Sequence, residues 1–107
     1  MSERQQKMEG LMQELIAAFI LTEANPNPLI TITRVTTDEK TRKATVFFTT
    51  IPEDREQDAL IFLKRFAGEI RHFIKKKGRL RNIPHLEFSI DGEERDRQHG
   101  NDSEVEK

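Results

Sequence analysis

Apolar and polar positions divide the chain into recognisable elements. Met8, Leu11, Met12, Leu15, Ile16, Phe19 and Ile20 recur at helical spacing, which lays one apolar stripe along an amphipathic helix. Ser2 is its candidate cap, and Asn25-Pro26-Asn27-Pro28 forbids continuation, so the helix should end near Thr22 or Glu23. Its polar face is mixed rather than basic, so the Met-containing stripe reads as core packing and not as a membrane-surface helix. Leu29 to Thr37 is β-branched and predicts a strand. Ile30 and Ile32 share a face, but Val35 is out of phase. A bulge near Thr33-Arg34 would return Val35 to the apolar side. Asp38 to Thr41 is a polar turn, and Ala44 to Thr50 predicts a second strand, antiparallel to the first. Ala44, Val46 and Phe48 share its core face. Phe47 falls on the open face, an exposed aromatic that is a candidate stacking platform for a base, although a single exposed Phe is ordinary surface.

Pro52 suits the first turn of the next helix. Glu53, Asp54, Glu56 and Asp58 follow it, where the helix dipole favours acids; that explains the cluster without a metal or an acid–base pair. Ala59, Phe62, Leu63, Phe66, Ala67, Ile70, Phe73 and Ile74 fall within an arc of roughly 140° at about 100° per residue. Lys64, Arg65, Arg71, Lys75, Lys76 and Arg79 fall on the opposite side. Gly68 interrupts this helix midway, which predicts a kink there or two short helices meeting, and Gly78 is placed to end the second. After Ile83-Pro84, Leu86, Phe88 and Ile90 alternate with Glu87, Ser89 and Asp91 as a third strand. The order α-β-β-α-α-β predicts an α+β domain with helices covering one face of a three-stranded sheet.

A chain of 107 residues supports one core. The reading places the domain at residues 1–91 and an acidic, disordered tail at residues 92–107. Net charge is −1, which by itself argues against nucleic acid, but the total conceals segregation. Between Leu60 and His85, eight cations (Lys64, Arg65, Arg71, Lys75, Lys76, Lys77, Arg79 and Arg81) face one acid, Glu69, whereas the tail from Gly92 carries six acids against three cations. These eight are not interleaved with acids for i,i+4 pairing, as a merely solubilising surface would be. Cations on one face would hold phosphates, giving position rather than sequence specificity.

Convergent reactive groups are hard to find. There is no cysteine, so disulfides and thiolate metal sites are excluded. His72, His85 and His99 lack metal-ligand spacing, and the glycines form neither GxGxxG nor a P-loop. The expectation is no catalytic residue, no metal and no cofactor. With no apolar run near the roughly 18 residues of a bilayer span and no signal-peptide core, the chain reads as cytoplasmic, monomeric and without a membrane partner.

The most specific stretch is Gly68-Glu69-Ile70-Arg71 followed by Gly78-Arg79-Leu80-Arg81-Asn82-Ile83-Pro84-His85-Leu86-Glu87-Phe88. With Asn25-Pro26 before Leu29, and the strands Ile30–Val35 and Ala44–Thr49, it resembles the bacterial ribosome-binding factor A family from about Met8 to Asp91. The resemblance implies a single type II KH-like domain that binds the free 30S subunit and the 16S rRNA precursor. It further implies a non-catalytic part in late small-subunit maturation, including processing of the rRNA 5′ end and growth in the cold. An Ala-x-Gly kink in that family corresponds to Phe66, Ala67 and Gly68 here, with Phe66 in place of the Ala. The family's usual C-terminal segment is replaced by the acidic end. A different class of function, a basic helix docking an acidic protein partner, would predict binding that survives ribonuclease.

Overall fold

A computed structural model describes residues 3–23 and 29–93. The Ser2 cap, the Asn25–Pro28 terminator and the tail beyond Glu93 lie outside the described residues. Helix α1 (Glu3–Glu23) precedes strands β1 (Leu29–Asp38) and β2 (Lys43–Ile51). After a cis Ile51–Pro52 peptide, a 3-10 turn (Glu53–Arg55) leads into α2 (Glu56–Arg65), α3 (Ala67–Gly78) and β3 (His85–Ile90). The expected order holds, with the extra turn placing Pro52 one short element ahead of the α-helix.

The sheet runs β1-β2-β3 and is mixed, antiparallel between β1 and β2 and parallel between β2 and β3. Parallel pairing needs a crossover, and the α2–α3 pair supplies it. Ala44, Val46 and Phe48 on the central strand are fully buried. The phase slip in β1 is a bulge: Ile32 pairs with Phe48, Arg34 pairs with Phe47, and Thr33 is the extra residue. Ile32 and Val35 are thereby both buried. A strict alternation would have sent Val35 to the open face.

The helices lie on one side, with α1 against β1 and α3, and α2 against β3. Met12, Ile16, Phe19 and Ile20 join Leu63, Ile70 and Ile74 in the core, where each buried side chain of this size stabilises by about 1.5–3 kcal/mol. Glu9 and Gln5 fasten α1 to the far end of β1. The buried Glu9 carboxylate accepts from the Thr37 amide at 2.7 Å and hydroxyl at 2.8 Å, and Gln5 donates to the Thr37 carbonyl at 2.9 Å.

One glycine expectation is revised and the other is met. The interruption between the long helices falls at Phe66, not at Gly68. Phe66 takes φ −95° and ψ 8° between the end of α2 and the start of α3. Its amide still bonds to the Phe62 carbonyl at 3.0 Å, and its carbonyl accepts from the Ile70 amide at 2.8 Å. The Phe66 ring is half-buried, with its centroid 4.8 Å from that of Phe62 and 6.3 Å from that of Phe19, so aromatic packing holds the junction. Gly68 is exposed in the first turn of α3, and a Cβ there would meet nothing within 4 Å. At the other end α3 finishes at Gly78, as expected, and the left-handed residue that caps it is Arg79 at φ 55°. Gly78 also lies close to α1, where a Cβ would come 2.9 Å from Leu15 Cδ1, a contact that a turn of the leucine side chain would relieve.

Candidate nucleic-acid interface

α3 presents two chemistries at once. Ile70 and Ile74 are buried, while Arg71, Lys75, Lys76 and Lys77 are exposed, as are Lys64 and Arg65 on α2 and Arg79 and Arg81 beyond α3. Among the described residues none of these eight cations has a carboxylate within ion-pair distance. Lys7, Arg34, Lys43 and Arg55 all do, whereas Arg4, Lys40 and Arg42 share the lack of a carboxylate partner, so what sets the eight apart is that they cluster on α2, α3 and the segment after it.

The cations do not form one continuous strip. Arg71, Lys75 and Arg81, with His72 and Gly68, line a shallow groove of about 230 Å³. Arg71 is set in place by donating from Nη2 to the Ile83 carbonyl at 2.9 Å, which ties α3 to the loop before β3. Lys64 belongs elsewhere, lining a depression of about 480 Å³ between Ala67 and the His85–Phe88 strand. Arg65, Lys76, Lys77 and Arg79 are exposed and line none of these grooves.

A third groove, of about 430 Å³, holds Arg71 and Arg81 again and adds Arg42 from the β1–β2 turn. Arg42 was not singled out by sequence reasoning, because it lies 22 positions before Lys64, the first cation of the basic run, in a turn that also holds Asp38 and Glu39. Its one local signal is conformational: Arg42 takes φ 56° in a turn without glycine.

The open face of the sheet departs from expectation. The Phe47 ring is half-buried, and the Arg34 guanidinium lies 4.0 Å above its centroid. A cation occupies the place foreseen for a base. Arg34 also pairs with Asp91 at 3.5 Å and Glu93 at 3.8 Å, and Asp91 accepts from the Thr33 hydroxyl at 2.5 Å. The bulge thus delivers Thr33 and Arg34 to one buried carboxylate just past β3.

A profile described as ribosome-binding factor A matches residues 4–102. The chain belongs to the ribosome-binding factor A family. The family match extends past the Met8–Asp91 span on which the resemblance was read. A ribosome-binding factor A from Chlamydia pneumoniae is 34% identical over 93 residues, covering 82% of this chain and 78% of that protein. The crystal structure of ribosome-binding factor A from Thermus thermophilus superposes with a TM-score of 0.71 at 23% identity, covering 80% of this chain and 93% of the other. A homology model of the Thermus thermophilus protein, fitted into the cryo-EM map of a 30S–RbfA complex, gives 0.68 at 22% identity and covers 79% and 92%. The α+β architecture with its mixed three-stranded sheet is therefore that of ribosome-binding factor A. Among the described residues no helix is long and apolar enough to cross a membrane.

Proposed function

We propose that this protein is a non-catalytic assembly factor that binds the free 30S subunit and 16S rRNA in the cytoplasm and assists late small-subunit maturation, including 5′-end processing of the rRNA. Membership of a family of ribosome-binding factors supports the ribosomal role, as does the 30S–RbfA complex of the Thermus thermophilus relative. The observation that carries the RNA-binding surface is the set of eight exposed cations without a carboxylate partner among the described residues. Unneutralised cations attract phosphate, and releasing counterions from RNA drives their association. Lys64, Arg65, Arg71, Lys75, Lys76, Lys77, Arg79 and Arg81 hold phosphates in this reading, and the Phe66–Ala67–Gly68 junction sets the angle between α2 and α3.

Gradient sedimentation tests it. The wild-type protein should travel with free small subunits rather than whole ribosomes, and the K75E/K76E/R79E variant should remain at the top of the gradient while keeping its helical circular dichroism. Undiminished co-sedimentation of that variant removes the assignment. Affinity should fall with salt at a log–log slope of about −0.7 to −0.9 per phosphate neutralised. Binding to a protein partner that persists after ribonuclease treatment would favour the interaction-module reading instead.

A further inference from the structure

The groove between the β1–β2 turn, α3 and the loop before β3 has a lining unlike the rest of the cationic surface. Arg42, Arg71 and Arg81 reach it from three separate elements. Met8, Ile83 and Pro84 add apolar surface to it, and Asp38 and Glu39 bring two carboxylates. Its volume of about 430 Å³ lies within the range of about 300–1,000 Å³ usual for small-molecule sites.

Arg42 supplies an independent observation. It takes a left-handed backbone, φ 56°, at a turn position where glycine or asparagine fits without strain. Its carbonyl accepts the His85 amide at 2.9 Å, so the turn is fastened to the start of β3. Any residue supplies that carbonyl. Only the side chain distinguishes Arg42 from a glycine that would suit the backbone better, and the side chain lines the groove. Arg79 takes the same conformation at φ 55° and lines none of the three grooves, so the strain points to a use at Arg42 only together with the place of its side chain in this groove.

We propose that this groove takes a single unpaired ribonucleotide. The inference rests on the RNA-binding reading above and names what one part of that surface recognises. The regular phosphate ridge of a duplex is served by cations alone, and carboxylates within the depression oppose it. One nucleotide turned out of the strand uses every part of the lining. Its flanking phosphates meet the three arginines, its base covers the apolar surface, and Asp38 or Glu39 accepts from the ribose 2′-hydroxyl or an exocyclic amine. An acidic peptide would satisfy the arginines but would set its own carboxylates against Asp38 and Glu39.

The test compares the full chain with R42G and R42N by fluorescence anisotropy. Three probes serve: an unstructured ribo-oligonucleotide of about ten residues, the same sequence as deoxyribonucleotide, and the corresponding RNA duplex. The wild type should prefer the single-stranded RNA to both other probes. Either variant should lose about tenfold in affinity for it, the loss expected for a charge-assisted contact, with duplex binding unchanged and a melting temperature equal to or above wild type. Two results overturn the inference. One is R42G and R42N binding single-stranded RNA like wild type; the other is equal losses on single strand and duplex, which would make Arg42 one more phosphate contact. If those losses are missing while K75E/K76E/R79E still abolishes subunit binding, the groove fails and the assembly-factor reading stands. If the wild type binds neither RNA nor subunits, that wider reading fails first.

Discussion

The open face of the sheet and the outer face of α3 both carry exposed cations, but the two regions use them differently. On the sheet, Arg34 is held by Asp91 and Glu93 and lies over Phe47, and Lys43 pairs with Glu87 at 3.4 Å. On the helix side, Arg71, Lys75, Lys76 and Lys77 have no carboxylate partner among the described residues. A paired cation contributes to folding and presents little net field. An unpaired one contributes little to folding and leaves its field for a ligand. Positive charge alone therefore does not mark an interface; its accounting against nearby acids together with its clustering on one face does.

Substitutions on the two faces should have opposite readouts. The largest effect belongs to the helix face: K75E/K76E/R79E should lower affinity for RNA by at least about a hundredfold at low salt, because three attractions become repulsions. Its urea midpoint should stay near that of wild type. A midpoint collapse would mean these lysines stabilise the fold and would erase the contrast. On the sheet face, Asp91→Ala should destabilise by about 1–3 kcal/mol, since Asp91 is buried and its loss strands the Thr33 hydroxyl and removes one of Arg34's two ion pairs. Chemical denaturation measures that, and RNA affinity should not follow it downward. Arg34→Ala should remove about 1 kcal/mol through its stack on Phe47 and its half-exposed ion pairs, again without weakening RNA binding. A loss of RNA affinity in Arg34→Ala would show that the sheet face touches RNA after all.

The smallest expected effect tests the junction between α2 and α3. Gly68→Ala should raise stability by about 0.5–1 kcal/mol, because a Cβ there meets nothing within 4 Å and alanine is the better helix former. A fall in melting temperature would return the hinge to Gly68. A rise would leave it with Phe66, whose ring packs against Phe62 and Phe19.

Much of the architecture was legible in residue order because its signals are local. The α1 stripe, the alternation in β2 and β3 and the slip at Val35 each depend on a few neighbouring positions. A helix or strand repeats within that distance. Even the bulge could be placed, since burying both Ile32 and Val35 on one face leaves no other solution. Propensity put the helix break at Gly68, one end of the Phe66–Gly68 span that the family resemblance implied, and the structure places it at Phe66. Gly68 carries the propensity signal, but the conformation at Phe66 is set by rings from α1 and α2 meeting there. Gly78 reads as a helix end and is one, while its closeness to Leu15 on α1 shows only in the fold.

The candidate site divides the same way. The eight cations follow from counting charge along the chain. Which of them converge, and which other residue joins them, follows only from the fold. Residue order by itself determined the elements, their faces and the segregation of charge, since each is a property of neighbours in the chain. The tertiary structure decided that Asp91 reaches across to Thr33 and Arg34, that Phe47 lies beneath a guanidinium, and that Arg42 shares a groove with Arg71 and Arg81. Those outcomes depend on distances between residues remote in sequence, and such distances exist only once the sheet and its crossover helices have closed on one another.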